Sequence, residues 1–219
     1  MKNKKTATPH LIPGTNILKN KKGIENRAEL DFFERTRTAA RMVDLPEGNL
    51  STIHLKKIHA HLLQDVYEWA GKFRNIPTER GQSVFCRPEF IAQEADKITK
   101  PIDLSKLKKL EKDGFAKELG EIVGELNVVH PFLDGNGRAI RAYAQKISKK
   151  AGYKLNITNI QRDHWNDASI KAFHVDSKAL AGILNENLKP LPQVKKLSAV
   201  ETSKLKREKQ ALAKSRGII

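Results

Sequence analysis

Twelve consecutive residues, His130-Pro-Phe-Leu-Asp-Gly-Asn-Gly-Arg-Ala-Ile-Arg141, hold a histidine, a carboxylate, two glycines flanking an asparagine, and two arginines three positions apart. Histidine has the side chain best suited to take a proton near neutral pH. Asp134 supplies the kind of oxygen that Mg²⁺ accepts alongside phosphate oxygens. Gly135 and Gly137 lack a Cβ, so both can take positive φ and let the main chain approach a ligand closely. Successive N–H groups in such a turn converge into an anion-binding nest. Arg138 and Arg141, at i and i+3, share a helix face, and guanidinium forks match phosphate oxygens. A base, a metal ligand, a phosphate cradle and two phosphate-binding cations are what a nucleotide-dependent transferase needs.

Such a loop works only if the flanking elements hold it. Phe115, Leu119, Ile122, Val123, Leu126 and Val129 repeat at helical spacing and predict a helix that delivers His130 at its C-terminal end. The stretch from Ala139 to Lys150 is free of Pro and Gly, which predicts a helix running to Gly152 as its C′ residue. The glycines then sit at a helix N-terminus, where the dipole favours anions. Asn26 is placed to cap a helix from Arg27 to about Asp44, and Ser51 opens another that closes at Gly71. Residues 72–86 lose the helical period but contain Pro77, Gly81 and β-prone pieces, the pattern of a hairpin. Pro88 begins a short helix to about Thr99. Leu104 to Asp113 reads as a charged amphipathic piece ending at Gly114, and Asp163 and Asp176 are placed to cap two further helices. The expectation is a mostly α domain, a helical bundle with one β-hairpin, over residues 27–188. An extended basic arm (1–26) precedes it and a basic tail (189–219) follows it, with Pro190 and Pro192 marking the domain's end. No internal repeat is visible.

At 219 residues the chain suits one domain with its own core. The formal charge of +16 raises the question of nucleic acid. However, residues 1–28 and 195–219 each carry about +6, leaving about +4 for the centre. No recognition helix or basic–aromatic stripe accompanies the surplus, so a nucleic-acid-binding module is the weaker reading. No apolar run approaches the roughly 18 residues of a membrane span, and no apolar region follows the basic N-terminus as in a signal peptide. Cys86 is the single cysteine, so no internal disulfide forms and a reducing cytoplasm is acceptable. Its neighbour Arg87 would lower its pKa, but no partner constellation makes it a nucleophile. His54, His59 and His61 cluster without a ligand pattern such as His-Glu-x-x-His.

The twelve residues resemble the signature of the Fic family, His-x-Phe-x-Asp/Glu-Gly-Asn-Gly-Arg-x-x-Arg. His130, Phe132, Asp134, Gly135, Asn136, Gly137, Arg138 and Arg141 fill every fixed position. Outside the motif, Glu125-Leu-Asn-Val-Val-His130, Val66-Tyr-Glu-Trp-Ala-Gly71 and Leu18-Lys-Asn-Lys-Lys-Gly-Ile24 resemble recurrent segments of bacterial Fic toxins and of related secreted effectors. The resemblance spans roughly residues 11 to 188 and implies the Fic fold, with the hairpin as a flap beside the active-site loop.

It also implies a reaction: transfer of AMP from ATP to a Ser, Thr or Tyr hydroxyl of a target protein, with pyrophosphate released. His130 would take the hydroxyl proton, and Asp134 would hold Mg²⁺. The backbone of Gly135, Asn136 and Gly137, with the Asn136 side chain, would orient the phosphate under attack. Arg138 and Arg141 would bind the remaining phosphates. The flap would add the target as an extended strand, which points to Ser83, Val84, Phe85 and Cys86. The same motif serves UMP, phosphocholine or phosphoryl transfer, and these donors stay open. Many relatives are held inactive by Ser/Thr-x-x-x-Glu-Gly/Asn, whose glutamate pairs with the second motif arginine. Here Lys21, Val43 and Gly182 stand four positions before the glutamates of the Glu-Gly/Asn pairs. The expectation is a small separate antitoxin that supplies the glutamate and competes for Arg141. The implied location is the bacterial cytoplasm, with secretion into a host cell as the effector alternative.

Overall fold

In the computed structural model, residues 9–192 are described, with Gln210 and Leu212. Their framework is α1 (Arg27–Arg41), α2 (Thr52–Leu63), a hairpin of β1 (Glu79–Arg80) and β2 (Ser83–Val84), α3 (Ile91–Thr99), α4 (Leu104–Leu107) and α5 (Lys112–Val129). It continues with α6 (Asn136–Ala151), β3 (Tyr153–Leu155), α7 (Arg162–His174), α8 (Lys178–Asn187) and β4 (Leu188–Pro190). The layout is the expected helical bundle with a hairpin beside it. Among the described residues no helix is long and apolar enough to cross a membrane.

The core is built from the apolar faces of these helices, that of α5 being the stripe its spacing predicts. Leu55, Ile58, Leu62 and Leu63 of α2, Phe115, Leu119, Val123 and Leu126 of α5, and Ile140, Tyr143 and Ile147 of α6 are all buried. Burying each such side chain is worth about 1.5–3 kcal/mol before conformational entropy is charged. Helix α5 lies close against α8: a Cβ on Gly124 would stand 2.6 Å from Ser177 Oγ, so glycine is what permits that approach. Asn26 caps α1 as expected, its side chain accepting from the Glu29 N–H. Gly152 ends α6 with φ +98°.

Five expectations need correction. The helix opened by Ser51 does not run to Gly71: α2 ends at Leu63, and the chain continues to Gly71 in turns. The tract before Asn26 is not an extended arm from Pro9 onward. Leu11 bridges Leu18, Ile17 is buried, and the Lys21 N–H donates to Val66 O at 2.8 Å. Its apolar residues have no regular period, yet Ile12, Leu18 and Ile24 find the core all the same. Gly114 does not end a helix but lies within α5, and only Leu104–Leu107 is helical before it. Gln161 and Ser177, rather than Asp163 and Asp176, occupy the cap positions of α7 and α8. The domain also runs beyond residue 188, because β4 pairs antiparallel with β3, Leu155 opposite Leu188. Residues 1–8 and, Gln210 and Leu212 aside, the tail from residue 193 lie outside the described residues.

Candidate active site

Helix α5 ends where His130 takes φ +47°, and its N–H still donates to Leu126 O at 3.0 Å. This left-handed turn swings the chain out of the helix and aims it at the start of α6. Gly135, with φ +76°, is the N-cap of α6, and a Cβ there would collide with Leu63 Cδ1. Glycine is therefore required twice over, by backbone angle and by space. Gly137 differs from expectation: it lies in the first turn of α6, φ is not positive, and a Cβ would meet nothing within 4 Å. Its contribution is room at the helix N-terminus. The first amides of that turn, on Asn136 and Gly137, have no intrahelical acceptor and lie at the positive end of the helix dipole.

A cavity of about 660 Å³ opens in front of this turn, lined by His130, Asp134, Gly137, Arg138, Arg141 and Phe85 among others. The His130 ring is half-buried and hydrogen-bonds to the Asn127 carbonyl, which leaves its other nitrogen as an acceptor. Burial, then nearby Arg74, pulls its pKa down to about 4. The imidazole is thus a neutral base at physiological pH.

Arg138 forms a close ion pair with Glu34 of α1, and its Nη2 stands 3.7 Å from Asp134 Oδ1. Arg141 is arranged differently. Its Nε donates to Gly137 O at 3.0 Å, and its guanidinium lies 5.5 Å from the Trp165 ring centroid. Burial foremost, and then Arg138 and Arg162, lower its pKa, as expected of a cation in need of an anion.

Two roles expected within the loop are filled otherwise. The Asn136 side chain does not face a phosphate: its Oδ1 accepts from the Phe132 N–H at 2.8 Å and its Nδ2 donates to Phe132 O at 2.7 Å. It closes the loop, and only its backbone N–H remains for an anion. The Gly135 N–H donates to Asp134 Oδ1 at 2.5 Å and is likewise spent inside the loop. The Asp134 side chain is 41% exposed on the cavity wall.

The hairpin pairs Glu79 with Val84 and Arg80 with Ser83. Of the four residues assigned to target docking, only Val84 points outward, 70% exposed. Ser83 is buried, its Oγ 3.1 Å from His174 Nε2. Phe85 stacks on His130 at 3.8 Å and 10° between planes. The Cys86 N–H donates to Val128 O at 3.3 Å, and its carbonyl accepts from Arg74. Burial raises the Cys86 thiol pKa, contrary to expectation, while Arg87 turns to Glu89 at 3.8 Å.

Residues 49–148 match the Fic/DOC family model. The chain is 37% identical over 176 residues to a probable protein adenylyltransferase, y4lH, of Sinorhizobium fredii, covering 79% of this chain and 92% of that protein. It is 32% identical to the probable protein adenylyltransferase Fic of Escherichia coli, covering 81% and 90%. Among solved structures, the BepC effector of Bartonella tribocorum with bound AMPPNP superposes with a TM-score of 0.77 at 25% identity, covering 83% and 96%. The chain belongs to the Fic/DOC family.

Further residues, outside the Fic motif, hold the loop in place. Arg74, 4% exposed, donates to the carbonyls of Val129 and His130 on one side and of Ile76 and Cys86 on the other. One buried cation thus ties the Fic loop to both ends of the flap, in place of a carboxylate partner. His59 bridges α2 and the loop: its Nδ1 accepts from the Gly71 N–H at 2.8 Å, which puts the proton on Nε2, and Nε2 donates to Asp134 O at 2.9 Å. It also stacks on Phe132 at 3.7 Å. His54 is held by Leu50 N and Pro46 O, and His61 by Arg41 O and Asp44. No local pattern marks the hold of Arg74 and His59 on the loop, because their partners there, Val129, His130 and Asp134, lie far along the chain.

Proposed function

We propose that the chain is a protein adenylyltransferase that moves AMP from ATP to a Ser, Thr or Tyr hydroxyl of a target protein. The hydroxyl oxygen attacks the α-phosphorus, its proton passes to the free nitrogen of His130, and the bond to the β-phosphate oxygen breaks to release pyrophosphate. One observation carries this reading: a neutral imidazole, the open amides of a helix N-terminus and both motif arginines face one cavity. Transfer of this kind depends mainly on positioning and electrostatics. The amides of Asn136 and Gly137 receive the phosphate under attack, and Arg138 and Arg141 hold the leaving pyrophosphate.

The site suits Mg²⁺ held by one carboxylate plus phosphate oxygens. Asp134 is the half-exposed carboxylate on the wall, and its Oδ1 stands 3.7 Å from Arg138 Nη2, looser than the pairing of Asp31 with Arg27 and of Glu34 with Arg138, also at the cavity. When bound, Mg²⁺ offsets phosphate charge.

The reading extends to partners. The outer edge of the flap at Val84 receives the target as an added strand. A small antitoxin offers a glutamate to Arg141, which has no carboxylate partner among the described residues. The bacterial cytoplasm is the place of action we favour, and the likeness to a translocated Bartonella effector leaves host delivery as the alternative.

The test uses ATP labelled at the α- or the γ-phosphate, with lysate protein and with a His130→Ala variant. Protein label from the α position only, absent in the variant, is the expected result. Label from γ would replace this reading with phosphoryl transfer.

A further inference from the structure

Glu34 sits where a carboxylate is costly. It lies on α1, its side chain is 10% exposed, and it lines a cavity built to receive an anion. Buried charge survives only when paired and hydrogen-bonded, and Glu34 is both. Its Oε1 pairs with Arg138 Nη1, and its Oε2 accepts the hydroxyl hydrogen of Tyr67. Tyr67 is buried and stacked on Trp69 at 4.3 Å and 19°, so the hydroxyl is fixed by its ring. With each oxygen tied to a different element, the carboxylate cannot follow Arg138 if that side chain moves. Arg138 is instead held to the carboxylate.

We infer that Glu34, locked by Tyr67, is a positioning residue that sets the Arg138 guanidinium for the leaving phosphates of the nucleotide. This rests on the role of Arg138 proposed above. The ion pair occupies Nη1, while Nη2 is held toward the cavity beside Asp134. The arginine is therefore presented as a fork with its back fixed. Arg141 gets its orientation by other means, from Gly137 O and the Trp165 face. Pre-ordering one of the two cations removes part of the rotamer entropy that a nucleotide would otherwise have to offset on binding. It also makes α1 part of the active site, although no residue of α1 belongs to the motif.

The test is direct nucleotide binding by calorimetry, with the full chain in a His130→Ala background so that no turnover occurs. Glu34→Gln keeps the shape of the side chain and removes its charge. It is expected to weaken ATP binding about tenfold, the worth of a hydrogen bond to a charged group, and to leave AMP binding unchanged. Arg138→Ala is expected to show the same pattern. In the Arg138→Ala background, Glu34→Gln should add no further loss, because the two act as one unit. Tyr67→Phe, which only unlocks the carboxylate, should weaken ATP binding about threefold, and it carries the test if Glu34→Gln does not fold. ATP binding that tightens in Glu34→Gln would make Glu34 a competitor for Arg138 and overturn the inference. So would wild-type ATP affinity in a folded Glu34→Gln or Tyr67→Phe protein. If Arg138→Ala itself binds ATP normally, the phosphate role of Arg138 fails and the inference falls with it, a result distinct from failure of Glu34 alone.

Discussion

The loop from His130 to Arg141 and the flap from Phe73 to Cys86 face each other across one cavity, yet they are built on opposite plans. The loop holds itself: Asn136 is bonded to Phe132, Gly135 to Asp134, and Arg141 to Gly137, all within a few residues. The flap has only a two-residue ladder of its own. It borrows its shape from its surroundings, through Arg74 on the Val129 and His130 carbonyls, Ser83 on His174 and Phe85 on His130. Local closure makes a motif readable at fixed spacing; borrowed closure does not. The loop should therefore carry the chemistry and the flap the choice of target.

The largest expected break in that comparison is His130→Ala. A general base is worth 10²–10⁴ in rate, so transfer should fall by about that factor while calorimetry shows ATP bound as before. Loss of binding together with rate would mean that the histidine shapes the phosphate site as well, and the division between loop and flap would blur.

That division also explains what could be read from the sequence. The core stripe of α5 and the seven candidate positions of the loop are legible because their periodicity and spacing are local. Asn136 was named correctly but given the wrong task, since only the fold shows that its amide is used on Phe132. The resemblance assigns Ser83, Phe85 and Cys86 to target docking, whereas in the fold they turn to His174, to His130 and to Val128 and Arg74. Glu34 and His59 carried no signal at all, since each contacts the loop from roughly a hundred or seventy-five residues away. The short strands β3 and β4 were missed because three residues set no period.

Next in size is a contrast between two glycines of positive φ. Gly135→Ala must take a left-handed backbone and push Leu63 aside; Gly81→Ala at the flap tip takes a similar backbone with nothing within 4 Å. The first should cost about 3 kcal/mol and the second about 1 kcal/mol of unfolding free energy, read from urea melts. Equal costs would show that the loop yields as readily as the flap. Acidification gives a gradual effect. Burial lowers the pKa of both His59 and His130 to about 4, against about 6.5 unfolded. Above pH 6.5 both are neutral in either state and contribute nothing. As pH falls from 6.5 toward 4 the unfolded chain takes up protons that the folded chain refuses, so stability should fall. His59→Gln should flatten that slope in thermal melts. The base stays neutral over the same range, so single-turnover transfer should show no acid limb near 6.5.

The smallest effect tests the flap on its own ground. Val84→Ser changes a side chain that is 70% exposed and touches no part of the loop. Surface changes of this kind alter stability by less than about 0.5 kcal/mol, so the melt and ATP affinity should match the wild type. A docked target strand would cover that side chain, and losing a partly buried valine surface is worth about 1 kcal/mol. Modification of a protein target should then slow about fivefold through KM, with kcat held, because the strand is bound less tightly while His130 and the phosphates are untouched. A fall in kcat instead would mean that Val84 reaches the reacting hydroxyl through Phe85 and His130. The two halves of the site would then be one machine rather than a chemical half and a choosing half.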